Sequence, residues 1–347
     1  ITQLQLEMPL WNPDITIHES IVTFPLANYQ FNHEISIQKN DEIIARLERI
    51  NEKGFSPSTL IQFIKCPLLF YFRQIAGIAE GNTLEETIEV KTLGIVIHET
   101  LSQLYNQECT ANMEITPEQI RKMEPYVDEA IKASFFNNYK DGDISTGKNL
   151  LLYNVATIYV NNFLKWERNY LKKLSTTTEK VYYIHSEKEL KASIEIGPGP
   201  ISKKINFRGI ADRIDKQGNA IRIIDYKTGV VDENQDLKIL EWEEVIGNEK
   251  KGKGFQLLMY AFLYSNANVN SDHLIPGIFS LRKISGGLLT LNLPGGNKYV
   301  TKDFLAEFES QLRTLMGNIF DRATPFLRTE KIETCANCDF AVVCNRQ

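Results

Sequence analysis

The sequence predicts an α/β protein whose mixed β-sheet is flanked by helices, on three observations. Helical periodicity fills most of the first half, strand alternation with a hairpin begins near residue 181, and a helix, further strands and a last helix follow. The 347 residues, 43% hydrophobic and 24% charged, supply a sizeable core for roughly two domains or one large elaborated one. With 20 glycines, 12 prolines and no low-complexity tract, collagen-like, coiled-coil and wholly disordered classes are excluded. No apolar run approaches the roughly 20 residues of a spanning helix, and no signal-peptide pattern opens the chain. A soluble, cytoplasmic protein without membrane contact is therefore expected.

Residues 1–50 hold Pro9, Pro13 and Pro25, then a charged run from Lys39 to Arg49, and read as a connecting segment with little core of its own. The first residue is Ile1 rather than methionine, which points to a longer polypeptide upstream or a removed tag. At Ser56 the pattern changes. Ser56 suits a helix cap, Pro57 its first turn, and Leu60, Phe63 and Ile64 form an apolar stripe reaching Lys65, before an interruption at Cys66-Pro67. Helical periodicity returns over 92–105, 117–139 and 149–174. Alternation predicts strands over 181–196, 205–214 and 220–226, the last two joined at Gln217-Gly218-Asn219 as a hairpin. A helix over 255–264, strands over 274–282 and 288–293, and a helix over 302–322 complete the chain.

The hairpin carries the most informative polar residues, in Gly209-Ile-Ala-Asp212-Arg-Ile-Asp215 and Ile223-Ile-Asp225-Tyr226-Lys227-Thr-Gly229. Side chains alternate along a strand, so Asp225 and Lys227 share a face while Tyr226 points away, and Asp212 can join them from the partner strand. Two carboxylates converging with an ammonium suit a hard divalent cation and a phosphate. A lone D-x-K is more often solvated surface charge. Here Asp225 follows Ile221 and Ile223 on the same face, emerging at the end of an apolar strand, which weakens the surface reading.

R-G-I-A-D-R-I-D followed by I-I-D-Y-K-T-G resembles the RecB-like branch of the PD-(D/E)XK nucleases. In that resemblance Asp212 is the first acidic residue, Asp225 the second and Lys227 the lysine, with Ala211 where the family name has proline. Gly94-Ile-Val-Ile-His98-Glu99 resembles the branch's upstream histidine motif, and Gln256-Leu-Leu-Met-Tyr260 its downstream Q-x-x-x-Y helix. Spaced four apart, Gln256 and Tyr260 share a helix face. The resemblance spans about residues 55–344 and implies a restriction-endonuclease-like fold over 51–347. It also implies a magnesium- or manganese-dependent deoxyribonuclease in which His98, Asp212, Asp225 and the Tyr226 carbonyl hold one or two metal ions. Lys227 would orient water or stabilise charge, and Gln256 and Tyr260 would position substrate or Lys227. By spacing alone, His98 on a helix is more often a packed residue than a ligand; Glu99 reads as a surface charge, and His18, His33, His185 and His273 fall in no motif.

Four of the five cysteines form a pattern: Cys335, Cys338 and Cys344 give C-x2-C-x5-C at the end of the chain, with Cys66 far upstream. Thiolates so spaced can wrap one metal centre and clasp the two ends of a domain, and zinc and iron-sulfur are both compatible. The segment from Ser56 through Cys66 to Arg73 resembles the first cluster-ligand segment of AddB-type nuclease domains and related CRISPR-associated exonucleases. That resemblance implies a 4Fe-4S cluster on Cys66, Cys335, Cys338 and Cys344, with Cys109 outside it.

The net charge of −5 argues against nonspecific nucleic-acid binding by overall charge, though not against a local basic groove. Lys250-Lys251-Gly252-Lys253-Gly254 offers such charge, or only a solvated loop. What the resemblance implies is the nuclease domain of an AddB-like subunit that works on DNA ends and single strands beside a helicase-nuclease partner. A stand-alone CRISPR-type exonuclease and a noncatalytic DNA-binding or scaffold module are the alternatives.

Overall fold

The computed structural model describes residues 35–78, 90–138, 144–197, 202–268 and 273–346. His18, His33 and the first 34 residues of the expected connecting segment lie outside them. Strand β1 (Ser36–Ile37) leads to helix α1 (Asp41–Lys53), which starts where the Asn40 side chain accepts the Ile43 N–H. The charged run of residues 39–49 is thus mostly helical, and Ile43 and Leu47 turn one side of it into the core. The buried Lys39 ammonium donates to the carbonyls of Asn318 and Asp321, at 2.7 and 2.9 Å. Helix α2 (Pro57–Lys65) starts at Ser56, which accepts the Thr59 N–H, and gives way at Cys66 to α3 (Pro67–Phe70) and a π-helical turn, Tyr71–Ile75.

Helix α4 (Val90–Glu108) and strand β2 (Met113–Glu114) follow. The single helix expected over 117–139 is two, α5 (Pro117–Met123) and α6 (Val127–Asn138), separated by a 3-10 turn, Glu124–Tyr126. Pro125 in that turn has no N–H to donate and crowds the preceding turn, which breaks the helical ladder. The long α7 (Gly147–Leu174) then runs into strands β3 (Val181–Ile196), β4 (Lys203–Gln217) and β5 (Ala220–Lys227). Gln217 pairs with Ala220, so the hairpin turn is Gly218-Asn219, and Gly218 takes φ +55° in its first position, where glycine carries no steric penalty. Helices α8 (Trp242–Gly247) and α9 (Gly252–Ala267), strands β6 (Leu274–Ser280) and β7 (Leu288–Thr290), helix α10 (Lys302–Phe320), strand β8 (Phe326–Leu327) and the short α11 (Ile332–Cys335) complete the order.

Strands β2-β3-β4-β5-β6-β7 form one six-stranded sheet in that order, with β5 and β6 parallel and the other neighbours antiparallel. This is the expected mixed α/β sheet. The alternation of β5 divides the interior. Ile223 packs with Phe207, Ile214, α9 and α10, while Ile224 and Tyr226 pack on the other face with α4, α6 and α7. Helix α9 is apolar nearly all round, with Phe255, Leu257, Leu258, Met259, Ala261, Phe262 and Leu263 buried, as a helix enclosed on every side must be. Among the described residues no helix is long and apolar enough to cross a membrane.

The second face also buries charge. Arg213, fully enclosed, donates to both carboxylate oxygens of Glu167 on α7 (3.2 and 2.7 Å) and to Asp215 (3.1 Å). Arg222, opposite Asp215 across the hairpin, closes the network onto the same Asp215 carboxylate at 2.5 and 2.8 Å. The two guanidiniums balance the two carboxylates, so removing one member strands a buried charge. Glu167→Ala is expected to lower unfolding free energy by about 3–5 kcal/mol, read from urea denaturation. A loss below about 1 kcal/mol would mean that the network does not hold the hairpin to α7.

Candidate active site

The β4–β5 ladder runs from Gln217–Ala220 only as far as Arg213–Ile224. Beyond that pair the Tyr226 N–H has no ladder partner on β4, and the Asp212 carboxylate accepts it instead, through Oδ2 at 2.6 Å. The same oxygen lies 3.4 Å from His98 Nδ1, and His98 Nε2 meets the Tyr226 carbonyl at 2.8 Å. Helix α4 thereby delivers its histidine to a point where a side chain of β4 and a peptide group of β5 converge.

On the neighbouring part of β5, Lys227 Nζ sits 3.1 Å from Asp225 Oδ1 and 3.0 Å from Oδ2. Gln256 on α9 donates to Asp225 Oδ1 at 3.1 Å and to the Tyr260 hydroxyl at 2.7 Å. All of the expected residues therefore gather at one end of the hairpin: His98, Asp212 and Tyr226 in direct contact, Asp225 held between Lys227 and Gln256. Gln256, expected to position substrate or Lys227, bonds Asp225, the carboxylate that anchors Lys227.

Glu187 was not among the expected residues. Its carboxylate joins His98 and Asp212 so that one ligand atom from each lies within 4.8 Å of the others. Glu187 sits on β3 with φ 47°, just past a register irregularity between Tyr183 and His185. Strict alternation says nothing of such a turn, and Glu187 belongs to no motif, so the sequence carried no signal for it.

Electrostatics mark the cluster as short of positive charge. Burial disfavours a charged His98, but Asp212, Asp225 and the Tyr226 carbonyl outweigh it and raise the imidazole to about 9. Burial and the charge of Asp212 push Glu187 up to about 7. Burial also lifts Asp225 above the usual carboxylate range, against the pull of Lys227. Burial opposes the Lys227 ammonium in turn, yet Asp225 keeps it protonated above its ordinary range. Asp225 Oδ2 is enclosed, and its one close polar neighbour is the Lys227 ammonium at 3.0 Å, which is not aligned as a hydrogen bond. His98, Glu187 and Asp212, with one ligand atom from each within 4.8 Å of the others and Asp225 alongside, are a donor set that fits a hard divalent cation.

The lysine-rich segment behaves as structure. Lys251 is buried, its ammonium donating to the Lys238 carbonyl at 2.6 Å, and Lys253 pairs with Asp236 at 2.8 Å. Only Lys250 of the three is exposed. At the far end, Cys66, Cys335, Cys338 and Cys344 line one cavity with Leu69, Phe72 and Phe340. The Thr329 N–H points at Cys66 Sγ, 3.4 Å away, and no three of these sulfurs lie mutually within 4.8 Å. Cys109 is buried elsewhere, beside Leu104 and Tyr105 in the core around α4.

Comparison with known families gives a match to the PD-(D/E)XK nuclease superfamily over residues 54–345. The chain belongs to that superfamily. The match runs from the residue before the bridge that Phe55 makes to Phe207 through the last cysteine, so in this nuclease the sheet, the carboxylate cluster and the cysteine end fall within one family domain. No individual curated protein matches the chain. As a member of a nuclease superfamily with a cluster suited to a divalent metal, it acts on nucleic acid.

Two predictions follow from the donor set, both measured by manganese titration followed by electron paramagnetic resonance. Glu187→Gln should weaken binding roughly tenfold while leaving the thermal midpoint unchanged; equal affinity would remove Glu187 from the donor set. His98 and Glu187 carry protons in the metal-free protein below about pH 9 and 7 and must shed them on ligation, so affinity should rise from pH 6 to 9. A flat profile would mean that neither group ligates.

Proposed function

We propose that the chain is a magnesium- or manganese-dependent deoxyribonuclease, the nuclease domain of an AddB-like subunit that processes DNA ends and single strands with a helicase-nuclease partner. The observation that carries the catalytic part is Asp225: buried, held through Oδ1 by Gln256, and ion-paired through both oxygens with the Lys227 ammonium, next to the His98, Glu187 and Asp212 cluster. The anionic oxygens of a phosphodiester repel hydroxide, so hydrolysis needs positive charge at the phosphate and an acidified water. A divalent cation bound by His98, Asp212, Asp225, the Tyr226 carbonyl and Glu187 supplies both kinds of assistance. Lys227, 28% exposed and anchored to Asp225, reaches the same face and is placed to orient the water or to offset charge on the phosphorane. Gln256 holds Asp225 from behind, and the Asp212 bond to the Tyr226 N–H holds the peptide whose carbonyl faces His98.

A 4Fe-4S cluster on Cys66, Cys335, Cys338 and Cys344 is the companion reading. It is supported by four thiols lining one cavity with Leu69, Phe72 and Phe340. Its role is to clasp α2–α3 to the C-terminal segment, since phosphodiester hydrolysis transfers no electrons.

Asp225→Ala and Lys227→Ala should each lower magnesium-dependent cleavage of end-labelled DNA by at least about 100-fold while DNA binding persists, because these groups serve the transition state. Cleavage by Asp225→Ala at the parent rate, with contaminating nuclease excluded, would refute the assignment. For the cysteines, anaerobically purified protein should contain iron and acid-labile sulfide, and Cys338→Ser should reduce folded yield while Cys109→Ser does little. Stoichiometric zinc without sulfide would replace the cluster and leave the nuclease reading intact.

A further inference from the structure

Gly209 lies on β4 opposite Leu190, three residues before Asp212, in a stretch that β5 does not reach. Its backbone lies outside the left-handed region, so nothing in the main chain calls for glycine. The space around it does. A Cβ at this position would stand 3.0 Å from Tyr260 Cε1, 3.2 Å from Tyr260 Cδ1 and 3.0 Å from Leu263 Cδ1. Those separations are tighter than ordinary carbon–carbon contact by several tenths of an ångström, and the ring is buried, so it can yield only by tilting.

The tilt has one direct consequence. The Tyr260 hydroxyl accepts from Gln256 Nε2 at 2.7 Å, and that amide nitrogen also donates to Asp225 Oδ1 at 3.1 Å. The ring, the amide and the carboxylate therefore form one chain of contacts that begins at the bare Cα of Gly209. We propose that Gly209 is a positioning residue for the reaction: the missing side chain lets the Tyr260 ring lie flat against β4, which holds Gln256 on Asp225 Oδ1 and leaves Oδ2 turned away from that contact.

This inference rests on the proposed nuclease reading, and the test separates the two. The full chain is assayed for magnesium-dependent cleavage of end-labelled DNA, with kcat and KM determined for the parent, Gly209→Ala, Tyr260→Ala and the double variant. Displacing a catalytic group by a fraction of an ångström should lower kcat roughly tenfold for Gly209→Ala with KM little changed. In the Tyr260→Ala background there is no ring to displace, so adding Gly209→Ala should leave kcat the same within about twofold. That non-additivity is the signature of action through Tyr260 and would not arise from a general loss of stability. If Gly209→Ala alone does not fold, the comparison of Tyr260→Ala with the double variant carries the same test, since truncating the ring removes two of the three close contacts and leaves space into which the Leu263 side chain can move. Parent-like kcat in a folded Gly209→Ala, or a further loss of more than threefold in the double variant, would overturn the proposal. An inactive parent chain would instead overturn the nuclease reading itself.

Discussion

The hydrogen bond from the Tyr226 N–H to Asp212 is the contact on which the site depends. It forms where the β4–β5 ladder stops, so a carboxylate takes the place that a backbone carbonyl fills elsewhere in the sheet. A buried N–H left without an acceptor costs about 1–3 kcal/mol, which gives Asp212 a structural reason to sit where its chemistry is wanted. The same bond fixes the peptide plane of Tyr226 and so the direction of the carbonyl that meets His98. One carboxylate thus orients a neighbouring peptide, faces the histidine and contributes to the cation-binding cluster.

Strand β5 then serves two sides of the protein at once. Its odd-numbered side chains run from apolar Ile221 and Ile223 to Asp225 and Lys227, while the even-numbered ones run through Arg222, Ile224 and Tyr226 into the opposite face. The Arg222–Asp215–Arg213–Glu167 network on that second face locks the hairpin register from behind. A slip of one residue would exchange the two faces, placing Asp225 against α4 and α7 and breaking every pair in the network. Stability and chemistry are therefore enforced by the same register, one on each side of a single strand.

The sheet, the hairpin and the shared face of Asp212, Asp225 and Lys227 were legible through local rules, alternation and a glycine turn, whereas Gln256 and Tyr260 stood out by resemblance to a family motif, their four-residue spacing adding only that they share a helix face. What was not legible depends mostly on contacts between distant segments, with one local exception. Pro125 is visible in the sequence, yet the apolar pattern on either side of it ran on without a break, and only steric crowding by the ring divides α5 from α6. Lys251 and Lys253 read as free charge because nothing local reveals that the Lys238 carbonyl and Asp236 claim them. Glu187 needed both the irregular β3 pairing and a left-handed backbone conformation to reach His98, and neither has a signature in the residues around it.

Taken together, these placements bear on how an acidic chain, of net charge −5, can engage a polyanion. Lys251 and Lys253 are committed to internal contacts, and among the described residues the cleft running from His98 along α4 is lined by Ile95, Glu99, Ser102, Gln103, Asn106 and Glu187, with no lysine or arginine. A phosphate approaching the site above about pH 7, where Glu187 is ionised, meets the acidic side chains of Glu187, Asp212 and Asp225 against one ammonium and one imidazolium. Repulsion would dominate at such short range, where the low-dielectric surroundings strengthen it. On the proposed reading, a bound divalent cation would offset that repulsion. On the proposed nuclease reading, seating the scissile phosphate and binding a divalent cation would therefore be coupled at this cluster, while the rest of the nucleic acid is held elsewhere.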